Sequence, residues 1–143
     1  MARRLRIVEE GLPGWHPLVS PDVTAGTLRF SKGAWLFAPD GVDVLLKVDP
    51  QPPPSSDGFF SRAVKASLSV HGELVAGAHT GWSISPRTGV PQLLVGTVRA
   101  VSDDEVVVDA GVVFIVREAR GAVVGDTVTI AVDNVRGVGC ALR

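Results

Sequence analysis

A chain of 143 residues, 45% hydrophobic and 20% charged, suits one domain with a core of its own. Its formal net charge of −1, shared evenly by the two halves, excludes the overall basic footprint usual among nucleic-acid binders. Cys140 is the only cysteine, which excludes an intrachain disulfide and a cysteine-based zinc site, and no apolar run reaches the roughly 18 residues of a membrane-crossing helix.

Period-two alternation runs throughout, Val and Thr are abundant, and Gly and Pro punctuate at short intervals. The pattern predicts an all-β fold: a small barrel or sandwich of short antiparallel strands with an extended N-terminal arm and a Pro-rich loop, in one domain over 1–143. Residues 1–26 read as the arm. Arg3, Arg4 and Arg6 give it positive charge, and no apolar stretch follows them, so no secretion signal is expected and the compartment stays open between virion and cytoplasm. Pro13, Pro17 and Pro21 bar a regular ladder or helix, and Trp15 is expected to pin the segment to a surface.

Residues 27–48 read as a three-strand meander, TLRFS, AWLFA and VDVLLKV, turning at Lys32–Gly33 and at Pro39–Asp40–Gly41. Residues 50–62, PQPPPSSDGFFSR, form the Pro/Ser-rich loop, and Phe59 and Phe60 are expected to fold back on the core or dock on a neighbour. VKASLSV and ELVAGA read as a hairpin turning at His71–Gly72, with a short strand near WSIS after it. Residues 92–142 are densest in strands: QLLVGTVRAV, EVVVDA, VVFIVR, DTVTIAVD and VGCAL. No internal repeat stands out.

Three features of the strand-dense part carry a resemblance to the OB-fold: Gly96 in the first strand, Asp109–Gly111 ending the second, and Gly125–Asp126–Val128 opening a later one. The resemblance covers residues 96–133 and implies a small β-barrel. Only EARGAV stands where that fold places a helix between its third and fourth strands.

Several constellations bear on chemistry. Arg29, Phe30, Lys32, Trp35 and Phe37 interleave basic and aromatic residues on one hairpin, the composition of a single-strand-binding platform; they equally suit a core-facing aromatic pair beside a solvated turn. His71, Glu73 and His79 contain the donor types of a three-ligand metal site, against the reading of a polar hairpin turn. Asp103–Asp104–Glu105 reads as a solvated hairpin tip. No spacing names a catalytic triad, no Gly-rich loop precedes a helix, and no cofactor is implied.

Residues 106–116, VVVDAGVVFIV, are apolar on both strand faces. Such strands must be covered on both sides, and with a mean hydropathy of +0.28 the chain is expected to need another chain to do so. The expected function is therefore a non-catalytic structural or assembly protein, a homo-oligomer or a component of a larger complex such as a virion capsid or tail. Arg3, Arg4, Arg6, Trp15, Phe59 and Phe60 are its expected protein contacts. A nucleic-acid-binding module using Arg29, Phe30, Lys32, Trp35 and Phe37 is the alternative, and a metal-dependent enzyme using His71, Glu73 and His79 comes third.

Overall fold

The computed structural model describes residues 6–7, 23–55, 60–77 and 79–143, without the side chains of residues 6, 7 and 60. Trp15, Phe59, Arg3 and Arg4 lie outside the described residues, as do the side chains of Arg6 and Phe60. The fold is all-β, as the period-two pattern predicts. Its strands are β1 (Arg6–Ile7), β2 (Val23–Ser31), β3 (Ala34–Pro39), β4 (Leu45–Gln51), β5 (Phe60–Val75), β6 (Ser83–Ser85), β7 (Thr88–Gly89), β8 (Leu93–Val101), β9 (Glu105–Asp109), β10 (Val113–Arg117), β11 (Thr127–Val132) and β12 (Val138–Leu142). Among the described residues, no helix is long and apolar enough to cross a membrane.

The pairings close two five-stranded rings that share β5. In ring 1, β2 pairs with β3 and β3 with β4; β4 runs parallel to β12; β12 and β2 both pair with the first half of β5. In ring 2, β8 pairs with β9 and β9 with β10; β10 runs parallel to β5 over Leu68–His71; β11 pairs with both β8 and the end of β5. The two rings have the same connectivity. First pairs with second, second with third, third runs parallel to fifth, and the fourth joins the fifth to the first. Ring 1 takes its strands in chain order as β2, β3, β4, β5 and β12. Ring 2 uses β8 to β11 and draws its fifth strand, β5, from upstream.

Closure explains the local sequence. A ring of five strands must coil tightly, and glycine sits where the first strand of each ring crosses the second. A Cβ on Gly26 would lie 2.5 Å from the Ala38 carbonyl oxygen, and one on Gly96 would lie 2.4 Å from that of Asp109. The flanking residues match too: Gly26–Thr27–Leu28–Arg29 in β2 and Gly96–Thr97–Val98–Arg99 in β8. This is an internal repeat too short to stand out in the bare sequence.

Several expectations are corrected. His71–Gly72 is not a turn: β5 runs unbroken for 16 residues through it. Gly72 is there because β11 presses close, and a Cβ would meet Ile130 Cγ2 at 2.7 Å. Residues 23–26 belong to β2 rather than to the arm, and β4 begins at Leu45 rather than Val42. At the tip of the β2–β3 hairpin Lys32 and Gly33 both have positive φ, the backbone a two-residue hairpin turn requires.

The buried side chains form one contiguous core through both rings, including Leu28, Phe37, Leu46, Leu68, Leu94, Val98, Phe114 and Ile130. Val106, Val107 and Val108 are all buried within the single chain. Both faces of β9 are therefore covered within the chain, whereas Val113 and Ile115 on the outer face of β10 are half-buried and Leu93 of β8 is exposed. The apolar excess fills two ring interiors, which costs a chain of this length more interior positions than one barrel would.

Candidate functional site

Two polar clusters lie around ring 2. The first is built on Trp82, which follows β5 in a loop. His79 folds that loop down: its Nε2–H donates to the Val75 carbonyl at 3.0 Å, so its Nδ1 accepts from the Thr129 hydroxyl at 2.7 Å. The Trp82 indole N–H then donates to Thr97 Oγ1 at 3.0 Å. The pairing of β8 with β9 slips at Arg99, between Val98 and Ala100. Bulges of this kind re-aim a side chain. The Arg99 guanidinium lies 6.0 Å from the Trp82 ring centroid and 3.3 Å from Asp109 Oδ2. Asp109 Oδ1 in turn accepts from the Gly111 backbone N–H at 3.0 Å.

Trp82 is thus oriented on two sides, yet 53% of it is exposed. It borders a cleft of about 270 Å³ at the seam of the rings, lined by Gly41 to Val44 of ring 1 and by Ile84, Arg87 and Gly111 on the other side. The Arg99–Asp109 pair is mostly buried, with side-chain exposures of 14% and 20%, so its ion pair is screened far less than a surface one. Across the cleft, Arg87 and Asp43 stand 3.8 Å apart and are both exposed, a contact of little energetic weight.

The second cluster joins His71 of β5, Glu118 after β10 and Arg136 before β12. His71 Nδ1 lies 3.0 Å from Glu118 Oε1 and 2.7 Å from Arg136 NH1, and Arg136 NH1 donates to Glu118 Oε1 at 2.5 Å. Hydrogen bonds from Arg136, and then from His71, hold the Glu118 carboxyl below the ordinary carboxylate value.

No family model, curated protein or solved structure matches the chain.

The residues singled out in the sequence fall as follows. Phe30 and Trp35 pair across the β2–β3 hairpin with ring centroids 4.9 Å apart. Phe37 is fully buried and so offers no face to a base. Arg29 alternates to the face opposite Phe30, so these five residues do not make one platform. His71 and Glu73 share a strand face, but His71 Nδ1 faces Glu118 and Arg136, and both ring nitrogens of His79 are engaged elsewhere. Among the described residues no group of three or more His, Cys, Asp or Glu is placed to hold a metal ion. Trp82, Arg99 and Asp109 were missed as a site. Only the GTVR repeat and a lone tryptophan in a Gly-rich stretch signalled them.

Proposed function

We propose that this protein is a non-catalytic assembly module that docks on protein subunits of a larger complex through the seam beside Trp82. The observation that carries this reading is that Trp82 is half exposed and already fixed, by Thr97 at its ring nitrogen and Arg99 near its ring. An aromatic ordered before binding loses little entropy on docking, and Trp and Arg supply much of the energy of protein interfaces. The shared connectivity of the rings supports an OB-like reading of both, with the fifth strand of ring 2 drawn from upstream. Such barrels present ligand surfaces on their outer strands and loops, and Trp82 and Arg99 lie on the outer side of β8. The nucleic-acid alternative is weakened because Phe37 is fully buried and Arg29 lies on the strand face opposite Phe30, so its five residues do not form one platform.

The test is the solution mass by light scattering at low salt, for the parent and for Trp82→Ser. A parent oligomer that falls to the 15.0 kDa monomer in the variant is expected. An unchanged mass in the variant, or a monomeric parent, overturns the reading.

A further inference from the structure

His71 Nδ1 stands between a donor and an acceptor, and one ring nitrogen cannot serve both. It lies 2.7 Å from the Arg136 guanidinium, from which it accepts only while it carries no proton. It lies 3.0 Å from Glu118 Oε1, to which it donates only when it carries one. Arg136 also donates to that same Glu118 oxygen. With the imidazole neutral and its proton on Nε2, Arg136 therefore bridges His71 and Glu118. With the imidazolium, Nδ1–H takes Glu118, and the guanidinium faces a second cation at hydrogen-bond distance. Among the described histidines only His71 has a cation against a ring nitrogen; His79 meets a carbonyl and a hydroxyl.

Arg136 ties down the connection between the rings. Residues 133–137 join β11 of ring 2 to β12 of ring 1. The Asp133 N–H donates to the His71 carbonyl at 2.7 Å, which anchors the start of the loop. Beyond it the loop's own backbone bonds are long: Arg136 N–H to the Asp133 carbonyl and Gly137 N–H to that of Asn134 both measure 3.3 Å. Glu118 is set to receive the loop. Its φ of +70° is one a non-glycine residue keeps only when its surroundings hold it, and its own N–H donates to the Asp104 carbonyl at 2.9 Å. Its lowered carboxyl stays ionised over the range in which imidazoles gain a proton. The other charges around His71 do not replace Arg136. Arg117, its cross-strand neighbour on β10, pairs with Glu105 Oε2 of β9 at 3.2 Å. Glu73, two residues along the same face of β5, and Asp133 line the same cleft and favour the imidazolium. Asp133 also meets Arg136 at 3.7 Å, but from within the same loop, so it does not fasten that loop to ring 2. β11 and β12 carry no charged residue.

We propose that His71, Glu118 and Arg136 form a pH-sensitive latch, in which protonation of His71 transfers Glu118 from Arg136 to the imidazolium and frees the loop 133–137 between the rings. The latch is closed in neutral solution and opens as pH falls from 8 to 5, the range in which imidazoles gain their proton. What it releases is the exposed part of the loop, including Val135, which is 92% exposed. The Asp133 backbone bond to His71 does not depend on the imidazole, so the end of β11 stays in place. The latch does not depend on docking at Trp82.

The experiment is an NMR titration of the full chain from pH 8 to pH 5, with backbone relaxation measured at both ends. The His71 ring signal is assigned by its loss in His71→Asn, whose amide oxygen takes the place of Nδ1 and does not titrate. In the parent, the order parameters of the Asn134 to Gly137 amides are expected to fall from roughly 0.85 at pH 8 to below about 0.6 at pH 5. Their shifts are expected to move with the His71 midpoint. In His71→Asn the loop is expected to stay ordered throughout, and in Arg136→Gln to be loose already at pH 8. Thermal unfolding at pH 8 checks that both variants fold, and His71→Gln takes the place of His71→Asn if that one does not. Loop amides that ignore pH while His71 titrates overturn the latch. Loosening with the parent's midpoint in His71→Asn also overturns it, because the titrating group then lies elsewhere. An ordered loop at pH 8 in Arg136→Gln overturns the part given to Arg136.

Discussion

At Arg99 a one-residue slip in strand pairing decides where a charge points. The bulge brings the guanidinium to Trp82, and Asp109 holds it there. Arg99→Ala should therefore free the indole without emptying the core. The expected result is lower fluorescence anisotropy from Trp82, read against a Trp82→Phe background, with a stability loss of about 1–2 kcal/mol in urea unfolding. Unchanged anisotropy would mean that Thr97 alone orients the ring. Cys140 is the opposite case, a group with no room to act. It is 1% exposed, and burial pushes its thiol from an ordinary 9.0 up to about 11. The folded chain keeps that proton where the unfolded chain releases it. The resulting stability is complete below about pH 9 and is lost as pH rises towards 11, by an amount on the order of 2 kcal/mol. Alkylation of Cys140 should accordingly be slow in the native protein and fast in denaturant; fast native labelling at pH 8 would contradict its burial.

At the scale of elements, glycine marks where strands cross rather than where they turn. Gly26 and Gly96 lie under a backbone oxygen of the neighbouring strand, and neither can gain a Cβ without separating the pair. Gly26→Ala and Gly96→Ala should each cost about 2–3 kcal/mol in thermal or urea unfolding. Equal costs would support the equivalence of the two positions. The same ambiguity misled the reading of His71–Gly72. A glycine inside an apolar run signals either a positive φ or a close approach, and alternation along the chain does not distinguish them. Only the position of Ile130 does.

For the whole molecule, the decisive feature is that β5 belongs to both rings. Its first half pairs with β2 and β12, its second with β10 and β11. Neither ring closes without it, and one contiguous core runs through both. The rings should therefore unfold together. Native-state hydrogen exchange is expected to give β3 and β9 amides the same opening free energy, within about 0.5 kcal/mol, at the global limit. Clearly different limits would mean that one ring survives the loss of the other.

The alternation and punctuation of the chain determined by themselves that the fold is all-β and roughly where most strands lie, because a strand's side chains alternate between two environments whatever it pairs with. They located β2, β3 and the strands after Leu93 within a few residues, and they marked Gly96 and Asp109–Gly111. Pairing partners are set by closure instead, through contacts between residues far apart in sequence. Closure decided that Val106, Val107 and Val108 are all buried within one chain, that β5 is one strand rather than two, and that Phe37 points inward. It also brought Trp82, Thr97, Arg99 and Asp109 together from three separate segments.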